Sequence, residues 1–87
     1  MNQLLIVEDD EGLNRGIRFY LEKEGYTVTA VNNLHDARIL LKGYTPDLIL
    51  LDLNLPDGDG LKLCREVKEK QEIPVIISDQ GFSLSVQ

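Results

Sequence analysis

An 87-residue chain with 43% hydrophobic residues has room for one small domain, and its composition is that of a globular protein rather than a disordered one. Nine basic residues against fifteen acidic ones give a net charge of −6, the wrong sign for gripping a nucleic-acid backbone or an anionic membrane, so neither is an expected direct partner. No apolar run approaches bilayer length, no basic segment leads into a secretory-type apolar stretch, and the single cysteine, Cys64, has no disulfide partner; the expectation is a cytoplasmic protein with Cys64 as a small core residue.

Leu4-Leu5-Ile6-Val7 is a continuous apolar run ending abruptly in Glu8-Asp9-Asp10, the mark of a strand buried on both faces. Leu13, Ile17, Tyr20 and Leu21 then recur at helical spacing with Arg18, Glu22 and Lys23 on the other side, and Gly25 offers a C-terminal stop, which predicts a first helix. Residues 27–31 are short and rich in β-branched side chains, which suits a second strand. Asn33 follows as the cap of a second helix carrying Ala37, Leu40 and Leu41.

Pro46 closes the next turn, and Leu48-Ile49-Leu50-Leu51 repeats the first pattern, an apolar run ending on a carboxylate, Asp52. Residues 55–60 have the Pro, Asp and Gly chemistry of a loop, after which Leu61, Cys64 and Val67 mark one face of a third helix. Pro74 introduces a last apolar run, Val75-Ile76-Ile77. From Ser78 onward Asp79-Gln80-Gly81 is turn-like and residues 82–86 alternate with period two, so the tail is expected to fold back as an antiparallel edge strand or to pair with a second copy of the chain. Strands that alternate with helices and are apolar throughout predict an α/β fold around a parallel sheet covered on both sides.

Parallel α/β sheets carry their functional groups just beyond the carboxyl ends of the strands. Glu8, Asp9 and Asp52 occupy such ends, and if the first and third strands are neighbours these carboxylates converge. Like charges in a partly dry site raise one another's pKa unless a cation intervenes. All-oxygen ligands with room for water suit Mg2+, and Asp52 then becomes a nucleophile toward phosphorus. Acidic residues at strand ends also serve simply as solvated loop groups or helix N-terminal charges, and spacing alone leaves both readings open. His35 stands near a helix start without neighbouring ligands and is expected to be exposed. Asp57-Gly58-Asp59-Gly60 is not an EF-hand loop, because Leu61 falls where a third carboxylate or amide is needed and no bidentate Glu follows at the required distance. An aspartyl phosphatase or phosphotransferase usually needs a second aspartate two residues after the nucleophile, and here that position is Asn54.

Two segments, Leu5-Ile6-Val7-Glu8-Asp9-Asp10 and Pro46-Asp47-Leu48-Ile49-Leu50-Leu51-Asp52-Leu53-Asn54-Leu55-Pro56-Asp57-Gly58-Asp59-Gly60, resemble the signature segments of bacterial response-regulator receiver domains. The resemblance covers roughly residues 3 to 77 and is greatest to receivers that precede a winged-helix DNA-binding domain. It implies a flavodoxin-like, doubly wound parallel sheet that is incomplete, with strand order 2-1-3-4 and an antiparallel edge strand at the C-terminus. Residues 1–78 would form a partial receiver domain and 79–87 a divergent tail.

The same resemblance implies that Asp52 is the phosphoacceptor of a two-component phosphorelay, taking its phosphoryl group from a sensor histidine kinase. Mg2+ would be bound by Asp9 and Asp52, by Glu8 through water, and by the backbone carbonyl of Asn54. Pro56 and Gly60 would shape the pocket loop without chemistry of their own, and the module would not be an enzyme in its own right. Similar receivers continue into a further helix, a fifth strand ending in a pocket lysine and a fifth helix, whereas no lysine follows Lys70 here. Counted from Pro74, the family's hydroxyl position falls on Asp79 rather than Ser78, so Ser78 is an unsettled candidate for the switch hydroxyl. The alternative is a truncated receiver that is not phosphorylated and acts as an interaction or dimerisation module through its uncovered sheet edge.

Overall fold

The apolar runs become the strands of one sheet. A computed structural model of the chain describes residues 2–79 and the backbone of 83–86, the side chain of Asp79 excepted. In chain order the elements are β1 (Gln3–Val7), α1 (Glu11–Lys23), β2 (Thr27–Val31), α2 (Leu34–Leu41), β3 (Leu48–Asp52), β4 (Asn54–Leu55), β5 (Gly58–Asp59), α3 (Gly60–Lys70), β6 (Val75–Asp79) and β7 (Ser83–Val86). The main sheet has the order β2-β1-β3-β6-β7, with β1, β2, β3 and β6 mutually parallel and β7 antiparallel to β6. This is the expected α/β fold with its strand order, including the antiparallel edge. Ile76 faces Val86 and Ser78 faces Leu84 across that last pair; the expected turn residues Gln80 and Gly81, and Phe82 at the start of the alternation, lie outside the described residues.

Each helix starts on a side chain that accepts from its own first turn. Asp10 caps α1 at Leu13 N–H, Asn33 caps α2 at Asp36 N–H, and Asp59 caps α3 at Leu61 N–H, each satisfying a donor that has no partner within its helix. At the other end of α1, Gly25 has φ +98 and its N–H donates to the Glu22 carbonyl; only glycine takes that left-handed conformation without strain.

The core lies between the sheet and the α2/α3 pair. Leu5 and Val7 of β1, Ile49 and Leu51 of β3, and Val75 and Ile77 of β6 meet Leu34 and Ala37 of α2 and Leu63, Cys64 and Val67 of α3 in one buried cluster. Burying a side chain of this size is worth about 2 kcal/mol, so the cluster is the main stabilising element. Successive strand residues point to opposite faces, so Leu4 and Ile6, also buried, belong to the other face, which α1 covers by packing on β2 and β1. Arg38 on α2 donates to both carboxylate oxygens of Glu66 on α3, at 2.9 and 3.2 Å, which fixes how the two helices sit against each other.

Three expectations are refined. The loop at residues 55–60 contains a small antiparallel hairpin, with Asn54 opposite Asp59 and Leu55 opposite Gly58. The buried face of α3 is formed by Gly60, Leu63, Cys64 and Val67, while Leu61 is exposed; the backbone of Gly60 has to lie against β3, and that sets the phase of the helix. Finally, the apolar stripe of α1 is real but not enclosed, for none of its residues is buried.

Candidate functional site

The carboxyl ends of β1 and β3 lie side by side because Val7 pairs with Leu51. The residues that follow, Glu8, Asp9 and Asp52, therefore converge, with one carboxylate oxygen from each lying within 4.8 Å of the others. Glu8 and Asp52 are 6% and 8% exposed, whereas Asp9 is open to solvent. The site thus has two buried carboxylates below and one above, facing water.

Burial is the largest influence on Glu8 and pushes its carboxyl up from 4.5 to about 7; Asp52 and Asp9 beside it push the same way, and the Asp10 N–H, donating to Glu8 Oε2 at 3.1 Å, offsets only part. The Glu8 carboxyl therefore holds its proton to higher pH than it would in water, and a divalent cation in the same place would relieve the same repulsion. The donor set therefore fits a hard cation of the Mg2+ or Ca2+ type.

The rest of the constellation is held by the backbone. Asn54 donates its N–H to Asp52 Oδ1 at 3.0 Å. A Cβ on Gly60 would stand 2.9 Å from the Asp52 carbonyl oxygen and 3.2 Å from Leu53 Cα, a distance real side chains do not tolerate, so the close approach expected at Gly60 is present. Pro56 lies exposed at the tip of the β4–β5 hairpin. Ser78 is the strand partner of Asp52 and half-buried, and its carbonyl accepts from Leu53 N–H; the orientation of the Asp79 side chain lies outside the described residues. His35 is exposed and Cys64 is a buried free thiol, both as expected.

Sequence reasoning missed two residues around the site. Asn14 donates its side-chain amide to the Glu8 carbonyl at 2.9 Å and to the Val31 carbonyl at 3.1 Å, tying the ends of β1 and β2 together behind the carboxylates. Asp57 accepts from the N–H groups of Leu34 and His35 at 2.9 and 3.0 Å. Asn14 sits on α1, four residues after a helix cap, where an amide facing back to the strand end is a weak but readable signal. Asp57 has none, since its partners lie 22 and 23 residues earlier.

The family model of the response regulator receiver domain matches residues 4–80. Among solved structures, the BeF3-activated N-terminal receiver domain of Klebsiella pneumoniae RstA is 32% identical, with 90% of this chain and 67% of that chain covered and a TM-score of 0.83. The MaeR response regulator bound to beryllium trifluoride is 36% identical over 91% of this chain and 67% of that one, TM-score 0.83. The response regulator TrrA of Thermotoga maritima, in complex with Mg(2+)-BeF, is 26% identical over 91% and 70%, TM-score 0.84. The chain belongs to the response regulator receiver domain family, the signalling module of two-component systems. It spans between 52% and 70% of the length of the solved chains it matches here. No helix among its described residues is long and apolar enough to cross a membrane.

Proposed function

We propose that the chain is a phosphoacceptor module in which Asp52 takes a phosphoryl group from a phosphohistidine of a sensor histidine kinase. An Asp52 carboxylate oxygen attacks phosphorus, the P–N bond breaks, and the imidazole nitrogen leaves with the electron pair and is protonated, giving an acyl phosphate on Asp52. The observation that carries the reading is the convergence of Glu8, Asp9 and Asp52 within 4.8 Å at adjacent strand ends.

Mg2+ would be held by Asp9 and Asp52, by Glu8 through water and by the Asn54 carbonyl, and its contribution is to neutralise charge between carboxylates and phosphoryl oxygens. The protein's own contribution is positional. Asn54 N–H orients Asp52 through Oδ1, leaving Oδ2 for attack, while burial of Asp52 limits water at the reacting oxygen. Pro56 and Gly60 serve as loop-shaping residues, Gly60 by the close approach described above. Ser78, next to Asp52 across the strand pair, is the candidate switch hydroxyl. The setting we propose is a cytoplasmic winged-helix transcription regulator, with 1–78 as a partial receiver domain and 79–87 as its divergent tail.

A second reading is favoured by one observation: β7 ends the sheet with no further strand beside it among the described residues. In that reading the chain is a receiver that is not phosphorylated and assembles, with a second copy, through the β7 edge. Intact mass after incubation with acetyl phosphate and Mg2+ separates the two. Phosphoacceptor function predicts a labile gain of one phosphoryl on the chain and none on Asp52→Asn; no gain on either, with a dimer in solution, supports the interaction module.

A further inference from the structure

Asp57 is an exposed carboxylate in an already acidic chain, yet its position is closely specified. One oxygen accepts from Leu34 N–H at 2.9 Å and the other from His35 N–H at 3.0 Å. These are among the first donors of α2, and the next one, Asp36 N–H, goes to Asn33 Oδ1 at 2.7 Å. The start of α2 is therefore shared between its own cap and a residue from the loop that follows Asp52. Bonds from Leu34 N–H and then His35 N–H hold the Asp57 carboxyl below the usual carboxylate range, so it stays ionised at neutral pH and the clamp is charge-assisted.

The contact is reinforced by packing and continues to the site. Gly58, with φ +150, brings its backbone so near that a Cβ would lie 3.0 Å from Leu34 Cδ1, and Leu34 is fully buried. Behind the tip, Leu55 pairs with Gly58 and Asn54 with Asp59, and Asn54 bonds Asp52. A hairpin with two-residue strands is marginal by itself. Its base is held at Asp52 and Gly60, and Asp57 holds its tip.

Resting on the phosphoacceptor reading, we propose that Asp57 is a positioning residue whose clamp on the first turn of α2 holds the Asn54–Asp59 hairpin, and with it Asn54, in register with Asp52. It touches neither metal nor phosphoryl group. It acts through Asn54, and it makes α2 and the site loop move as one body.

The test compares three variants of the whole chain by amide proton–nitrogen spectra and Mg2+ titration. Asp57→Ala is expected to shift the amides of Leu53 and Asn54 as well as those of Leu34 and His35, and to weaken Mg2+ binding by about tenfold, as loss of a supporting contact behind a metal ligand does. Asp57→Asn, which keeps one acceptor oxygen, should fall between this and the parent, and it carries the test if the alanine variant does not fold. Asn33→Ala removes a cap from the same helix; it should move Asp36 and lower the melting temperature while leaving Asn54 and the Mg2+ affinity as they are. Shifts confined to Leu34 and His35, or an Asn33→Ala variant that disturbs Asn54 equally, would overturn the proposal. A parent chain that binds no Mg2+ would count against the metal site, and the Asn54 amide would still decide the role of Asp57.

Discussion

The two faces of the sheet are unequally finished. On one, α2 and α3 close over Leu5, Val7, Ile49, Leu51, Val75 and Ile77, all of them buried. On the other, α1 is the one helix among the described residues that lies over β2 and β1; it buries none of its own residues, with Phe19 and Tyr20 68% and 63% exposed, and Leu48, Leu50 and Ile76 are only half-buried. The apolar stripe of α1 is at least as clear as those of α2 and α3, so what separates the faces is how much partner surface each finds. Stability resides on the α2/α3 side, and the α1 side has apolar surface to spare.

The largest expected effect breaks this comparison at adjacent positions of one strand. Ile49→Ala, opening a cavity in the closed core, should cost about 3 to 4 kcal/mol, whereas Leu50→Ala, on the half-open face, should cost about 1 to 1.5 kcal/mol. Urea denaturation of the two variants measures both, and equal losses would mean that the faces are equally covered in solution.

A smaller effect belongs to the carboxyl end of the sheet, where both faces meet the site. Glu8 is raised from 4.5 to about 7, so between those values the folded chain binds a proton that the unfolded chain has released. By linkage, stability falls as pH rises through that window and levels off above it. Without metal, the melting temperature should drop by about 5 °C or more between pH 5 and pH 7.5. Saturating Mg2+ should cancel the drop, because cation and proton compete for one site, and Glu8→Gln should abolish most of the slope. Thermal melts at several pH values with and without Mg2+ check the sign.

The smallest effect sharpens the comparison from the open side. Tyr20→Ser, at an exposed position of α1, should change stability by no more than about 0.5 kcal/mol, while reducing any self-association through that face; sedimentation at rising concentration reads the second part.

Most of the architecture was legible in the sequence, for a physical reason. Runs such as residues 4–7 and 48–51, apolar at every position and stopped by a carboxylate, have few alternatives to an inner strand of a parallel sheet, and Asn33 announces a helix through local capping chemistry. The metal-type cluster followed from strand adjacency, once β1 and β3 were placed side by side. What stayed hidden depends on contacts distant in sequence. Leu61 and Leu63 both fit a helical stripe with Cys64 and Val67, and the choice between them is made by the backbone of Gly60 against Asp52. The hairpin at 54–59 has strands too short for any periodicity to show, and the clamp from Asp57 to α2 leaves no trace in local composition. The openness of the α1 face was equally invisible, since a pattern reports which residues are apolar and not whether anything lies over them.

The central place of β1 bears on how the chain emerges from the ribosome. Its first strand pairs with β2 on one side and β3 on the other, so β1, α1 and β2 can associate once residue 31 is free, but the second edge of β1 waits for residues 48–51. At about 5–20 residues per second that wait lasts on the order of one to four seconds, during which the most apolar strand of the protein presents an unpaired edge. Asp9, Asp10 and Glu11, coming directly behind that strand, put charge beside the edge while it is bare, and charge flanking an apolar strand disfavours its association with other chains.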